Sequence, residues 1–153
     1  MKYYCIAGEP SGDLHGAKLM RGIAKEDDSA EFRFCGGDLM AQIGREQNML
    51  YHYTQMSFFG FVQVAKNLRT IFKQMDNVKA DIENFKPDVI ILIDYPAFNL
   101  RIAKWAKSRG INVYYYIAPK VWAWKERRVK SLRKYVDRLY TIFPFETDYF
   151  RGH

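Results

Sequence analysis

Two short stretches carry residues able to do acid–base chemistry. The first is GEPSGD at 8–13, with Glu9 and Asp13 in a glycine-flanked polar turn. The second is DVIILID at 88–94, where Asp94 ends a run of five apolar residues. A carboxylate at the mouth of a buried strand is partly desolvated, which raises its proton affinity toward the range useful to a general base. The other reading of Asp94 is a cap for the helix that follows, and Asn99 stands where it too can cap that helix. The 8–13 turn can present backbone N–H groups to an anion at a helix N-terminus. It is not a Walker A loop, because no Lys-Ser/Thr pair follows Gly12, and it lacks G-x-G-x-x-G spacing. An ordinary strand-to-helix turn also wants glycine, so both readings of it stand. His15, His52 and His153 show no ligand spacing with Cys5 or Cys35, and no H-x-E, C-x-x-C, H-E-x-x-H or G-x-S-x-G is present. No metal and no cofactor is expected.

These residues need elements to hold them. Residues 2–7 (KYYCIA) read as a buried strand, and a helix is expected from Leu14 to about Lys25, its first turn capped by Ser11 or Asp13. Residues 31–35 alternate as a strand, and CGGD at 35–38 turns into a short helix near 39–43 stopped by Gly44. From Phe61 the apolar positions 61, 64, 65, 68, 72, 75, 78, 82 and 85 keep helical spacing until Pro87. Residues 89–93, mostly β-branched, read as a central parallel strand buried on both faces. A basic helix over 100–108, a strand over 112–118, a basic helix over 127–135, a strand over 138–142 and a helical turn over 144–150 complete the chain. Strand–turn–helix repeats without hairpins predict a doubly wound α/β domain with a mostly parallel sheet, Rossmann-like. In such sheets ligands bind outside the carboxyl ends of the strands. There the fourth strand presents Asp94 and Asn99, and the fifth Pro119, Lys120, Trp122 and Trp124.

At 153 residues the length fits one domain, or a piece of a larger protein. With 48% hydrophobic and 27% charged residues the composition excludes a disordered chain, and two cysteines exclude a disulfide-stapled miniprotein. No apolar run is long enough for a transmembrane helix or a signal peptide, so a cytoplasmic location with reduced thiols is expected. Charge is uneven. Residues 101–138 hold 12 of the 24 Lys and Arg against Glu126 and Asp137, a local net charge of +10, while the remainder is slightly acidic. Such a cation attracts nucleic acid, anionic lipid or a phosphorylated substrate, and a solvated lysine-rich helix pair is the plainer alternative. MSFFGFV at 56–62 gathers three phenylalanines around a glycine, as core or as an apolar lip that meets lipid. A nucleic-acid module would use the basic charge with Trp122, Trp124 and Tyr114–Tyr116 as stacking platforms, but tyrosines in a buried strand suit that poorly. A lipid-surface module without catalysis is the other alternative.

Six motifs occur in order: AGEPSGD (7–13), GGDLM (36–40), FGFV (59–62), PDVIILIDYPAFN (87–99), YIAPKVWAW (116–124) and FPFE (143–146). Together they resemble the N-terminal half of lipid-A-disaccharide synthase. The resemblance implies the N-terminal, acceptor- and membrane-side domain of a GT-B glycosyltransferase, spanning 1–153, with the UDP-binding domain absent from this chain. It implies a metal-independent, inverting transfer from UDP-2,3-diacylglucosamine to 2,3-diacylglucosamine 1-phosphate (lipid X), forming the β-1′,6 disaccharide of lipid A at an anionic inner-membrane surface, with no nucleic-acid partner. An isolated domain would be inactive. By position, the resemblance makes Asp94 the base and puts Glu9, Ser11, Gly12, Asp13 and Asn99 at the substrate. Lipid contact is expected of Phe58, Phe59, Phe61, Val62, Arg127, Arg128 and Lys130. The family's Asp-x-Pro-Asp-Phe-Asn reads DYPAFN here, so Ala97 replaces a second acid and the base role concentrates on Asp94.

Overall fold

The computed structural model describes residues 1–56, 61–117, 126–141 and 151. Within them, six strands form one parallel sheet in the order β3-β2-β1-β4-β5-β6: β1 Lys2–Ala7, β2 Glu31–Gly36, β3 Met49–His52, β4 Val89–Ile93, β5 Asn112–Tyr116 and β6 Arg138–Tyr140. The chain steps outward from β1 to β3, returns to the centre as β4, and steps outward the other way. β1 and β4 are therefore neighbours, paired from Tyr3↔Val89 to Ala7↔Ile93, and the order reverses between them. All five β4 side chains are buried. Each fully buried Val, Leu or Ile contributes about 1.5–3 kcal/mol relative to exposure, so the apolar run that identifies this strand also anchors it.

The two faces are covered by different helices. α1 (Pro10–Glu26) and α2 (Asp38–Gly44) pack on one face, over Cys5, Phe34, Ile91 and Ile93. On the other lie α5 (Leu68–Phe85), α6 (Pro96–Ser108) and α7 (Glu126–Tyr135), over Tyr4, Ile6, Leu92 and Tyr115. α1 leaves β1 toward one face and α6 leaves β4 toward the other, which opens a crevice at the carboxyl ends of those two strands. Cys5 and Cys35 are buried and unpaired, and burial pushes both thiols up to about 12.

Several boundaries differ from expectation. α1 begins at Pro10, not Leu14, and α6 at Pro96, not residue 100. In each the proline stands in the first turn, where its missing N–H costs nothing and its fixed φ suits a helix. What reads as a polar turn is the helix's own start. The expected cap is also absent, because the N-cap of α1 is Glu9 and makes no side-chain cap hydrogen bond. The long helix is two: α4 (Phe61–Lys66) and α5, separated at Asn67, whose Nδ2 donates to the Gln63 carbonyl at 2.8 Å. That side chain competes with the backbone ladder. α5 closes on Lys86 in the left-handed region, directly before Pro87. The edge strand β3 and the four-residue helix α3 (Tyr53–Met56) were not expected, since Met-Leu-Tyr-His has no alternation. β5 and β6 end at Tyr116 and Tyr140, and the helical turn expected over 144–150 lies outside the described residues.

Candidate functional site

Asp94 and Tyr95 link β4 to α6 and both sit at positive φ, 47° and 48°. Consecutive left-handed residues that are not glycine persist only where their surroundings hold them. Here the carbonyl of Asp94 accepts from Tyr115 Oη at 2.5 Å and from Asn99 Nδ2 at 2.8 Å. Its N–H donates to the Tyr116 carbonyl at 3.1 Å. Asn99 does not cap α6. It is fully buried inside the helix, and its Nδ2 also lies 3.3 Å from the Ile6 carbonyl and 3.4 Å from that of Ile93. It ties the carboxyl ends of β1 and β4 together. The N-cap of α6 is Tyr95, not Asp94.

Glu9 follows β1 on the other side of the crevice and is half-buried. Burial raises its carboxyl above the ordinary value, and the negative charge of Asp94 raises it further. The two carboxylates are thus close enough to act on each other electrostatically across the point where the strand order reverses. Tyr95 packs against the turn after β1. Its ring lies so near Gly8 that a Cβ there would fall 2.4 Å from Tyr95 Cδ1, and its hydroxyl donates to the Met56 carbonyl at 2.7 Å. A raised carboxyl means the folded state holds that proton more tightly than the unfolded chain, so Glu9 subtracts stability as pH climbs through and above the carboxylate range. Glu9→Gln should therefore melt higher than wild type at pH 7, with the difference vanishing below about pH 4. A melting difference that does not change with pH would contradict the placement of Glu9.

Asp13 is on the same edge but is already engaged. It is 4% exposed, and its carboxylate accepts the N–H groups of Gly37 at 2.9 Å, Leu39 at 3.1 Å and Met40 at 3.0 Å. It caps α2 from α1 rather than capping its own helix. Gly12 is buried, with Ala7 Cβ 3.1 Å from where its own Cβ would be, which lets α1 approach β1 closely. Ser11 is exposed in the first turn of α1. His52 pairs through Nε2 with Asp38 Oδ1 at 3.2 Å and through Nδ1 with Thr54 Oγ1 at 2.8 Å. Among the described residues no three His, Cys, Asp or Glu side chains are grouped to hold a metal ion.

The residues expected to meet lipid divide. Phe58 and Phe59 lie outside the described residues, as do Pro119, Lys120, Trp122 and Trp124. Phe61 opens α4, and Val62 beside it is 65% exposed. Leu68 and Phe72 on α5, 44% and 43% exposed, extend the apolar surface beyond what the sequence singled out. A cleft of about 240 Å³ between α5 and α6, lined by Leu68, Phe72, Met75, Phe98 and Arg101, reaches Tyr95. Arg127 and Lys130 on α7 are exposed, while Arg128 is half-buried and close enough to act electrostatically on Tyr115. Among the described residues no helix is long and apolar enough to cross a membrane.

Residues 3–153 match the family model described as lipid-A-disaccharide synthetase. Curated lipid-A-disaccharide synthases from Syntrophus aciditrophicus and Geobacter metallireducens are each 41% identical over 95% of this chain, and that from Chromohalobacter salexigens is 37% identical over all of it. The chain spans 38%, 37% and 39% of their lengths. Among solved structures, UDP-GlcNAc 2-epimerase from Neisseria meningitidis bound to UDP-GlcNAc superposes with a TM-score of 0.63 at 12% identity, covering 99% of this chain and 43% of that one. A putative UDP-N-acetylglucosamine 2-epimerase from Listeria monocytogenes superposes with a TM-score of 0.67 at 11% identity, covering 99% and 42%. At such identities these two show the shared Rossmann-like fold and no more.

Proposed function

Since the chain belongs to the lipid-A-disaccharide synthetase family, we propose that it is the acceptor-side, N-terminal domain of a GT-B glycosyltransferase that makes the lipid A disaccharide. One observation carries the reading: Asp94 and Glu9 flank a crevice at the strand-order reversal, with a left-handed turn presenting Asp94 there. In the proposed reaction Asp94 accepts the proton of the 6-hydroxyl of lipid X. The oxygen attacks the anomeric carbon of UDP-2,3-diacylglucosamine from the face opposite UDP. The bond to UDP breaks with its electrons leaving on the diphosphate, so an α-linked donor yields a β-1′,6 product. Helix N-termini and basic side chains stabilise the charge that develops on UDP, and a second domain supplies the nucleotide site. Titrating lipid X into the chain should shift the amide resonances of Gly8, Glu9, Asp94 and Tyr95. Shifts confined to other parts of the sheet would overturn this placement.

Val62, Leu68 and Phe72 with the neighbouring cleft support an acyl-chain or bilayer contact, and the exposed cations of α7 support attraction to an anionic surface. The apolar part acts at contact, whereas the charged part is screened over about 8–10 Å. Serine at Val62, Leu68 and Phe72 should weaken co-sedimentation with anionic vesicles at all salt concentrations. Charge reversal at Arg127 and Lys130 should weaken it chiefly at low salt, by up to about 1 kcal/mol per cation removed. Unchanged binding in both variants would remove the interfacial part of the reading.

A further inference from the structure

We propose that Tyr115 is a positioning residue for Asp94: its hydroxyl fixes the left-handed turn that points the Asp94 carboxylate into the crevice. The inference rests on the reading of Asp94 as the base and goes beyond it. Tyr115 is fully buried on β5, paired in register with Leu92 of β4. Its ring belongs to the same buried cluster as Ile6, Leu92 and Ile102, a place phenylalanine would fill as well. The hydroxyl is surplus to that packing. It extends past the end of β4 and donates to the Asp94 carbonyl at 2.5 Å, where Asn99 Nδ2 donates as well. Two donors on one carbonyl set the plane of the peptide joining Asp94 to Tyr95, and with it the direction of the Asp94 Cα–Cβ bond. Both residues of that peptide hold φ near +50°, a region that relaxes unless it is held. A base displaced by a fraction of an ångström from the acceptor hydroxyl loses rate without losing substrate affinity.

The test is a double-mutant cycle in the full-length enzyme, with Tyr115→Phe and Asp94→Asn singly and together. Tyr115→Phe should lower kcat roughly tenfold and leave KM for both substrates and the thermal midpoint close to wild type. In the Asp94→Asn background it should lower the rate no further, because the group it positions is already gone. 4-Aminophenylalanine at position 115, which keeps a donor in the same place, should restore kcat. Equal losses in both backgrounds, an unchanged kcat, or a midpoint that falls together with the rate would each overturn the proposal. A near-normal Asp94→Asn rate would instead remove the base assignment on which it rests.

Discussion

Asp94→Asn in the full-length enzyme is expected to slow single-turnover transfer by about 10²–10⁴-fold, the contribution of a positioned general base. Asparagine matches the size of aspartate but cannot accept the acceptor's proton. The substitution keeps the backbone contacts that hold this residue in its turn. The Tyr115 and Asn99 donors bind its carbonyl, and its N–H binds the Tyr116 carbonyl. Asparagine is also among the residues most tolerant of left-handed φ. The left-handed turn should therefore persist, and lipid X should bind as before. A second consequence is electrostatic: with the Asp94 charge gone, the Glu9 carboxyl should fall part of the way back toward its ordinary value. A near-normal rate would transfer the role to Glu9, the other acid on this edge that is not committed to the fold.

Asp13→Ala should be the most destabilising change on the same edge. Its carboxylate satisfies three N–H groups at the start of α2, two of them belonging to the buried Gly37 and Met40. A buried donor left without a partner costs about 1–3 kcal/mol, and the favourable charge at the N-terminus of α2 is lost as well. The expected total is about 3 kcal/mol. In a domain of this size that lowers the melting temperature by roughly 6–12 °C. Asparagine would recover part of the loss, since it keeps one acceptor oxygen. Urea or thermal unfolding of the 153-residue chain reads the effect without any substrate. If alanine leaves stability intact and reduces only lipid X binding, Asp13 belongs to the substrate and not to α2.

The sheet was legible because its strongest elements are dictated by local pattern. Five apolar residues between Asp88 and Asp94 can hardly be anything but a central strand, and the helical spacing from 68 to 85 fixes its crossover. The turn after β1 and the acid after β4 were identifiable for the same reason, since strand ends are marked by a change from apolar to polar. The helix starts are not legible in the sequence, because Pro10 and Pro96 punctuate a turn and open a helix equally well. β3 is an edge strand placed by β2 and α2, with no pattern of its own. The roles within the site were the least legible. Asp13, Asn99 and Tyr115 reach 24, 93 and 21 residues along the chain to Gly37, Ile6 and Asp94, and no spacing rule reports such pairings. A tyrosine in a buried strand reads as core, and its hydroxyl acquires a role only when the next strand's end is seen beside it.

On a fold shared with nucleotide-sugar epimerases, this domain is proposed to bind the acceptor and supply the base for a sugar transfer. The most direct test gives the full-length enzyme UDP-2,3-diacylglucosamine and lipid X together, then each alone, and follows UDP and the sugar products by mass spectrometry. One UDP should be released per β-1′,6 disaccharide formed, dependent on both substrates and reduced in the Asp94→Asn variant. UDP release that is indifferent to lipid X, or a donor epimerised at C2 with no disaccharide formed, would contradict it.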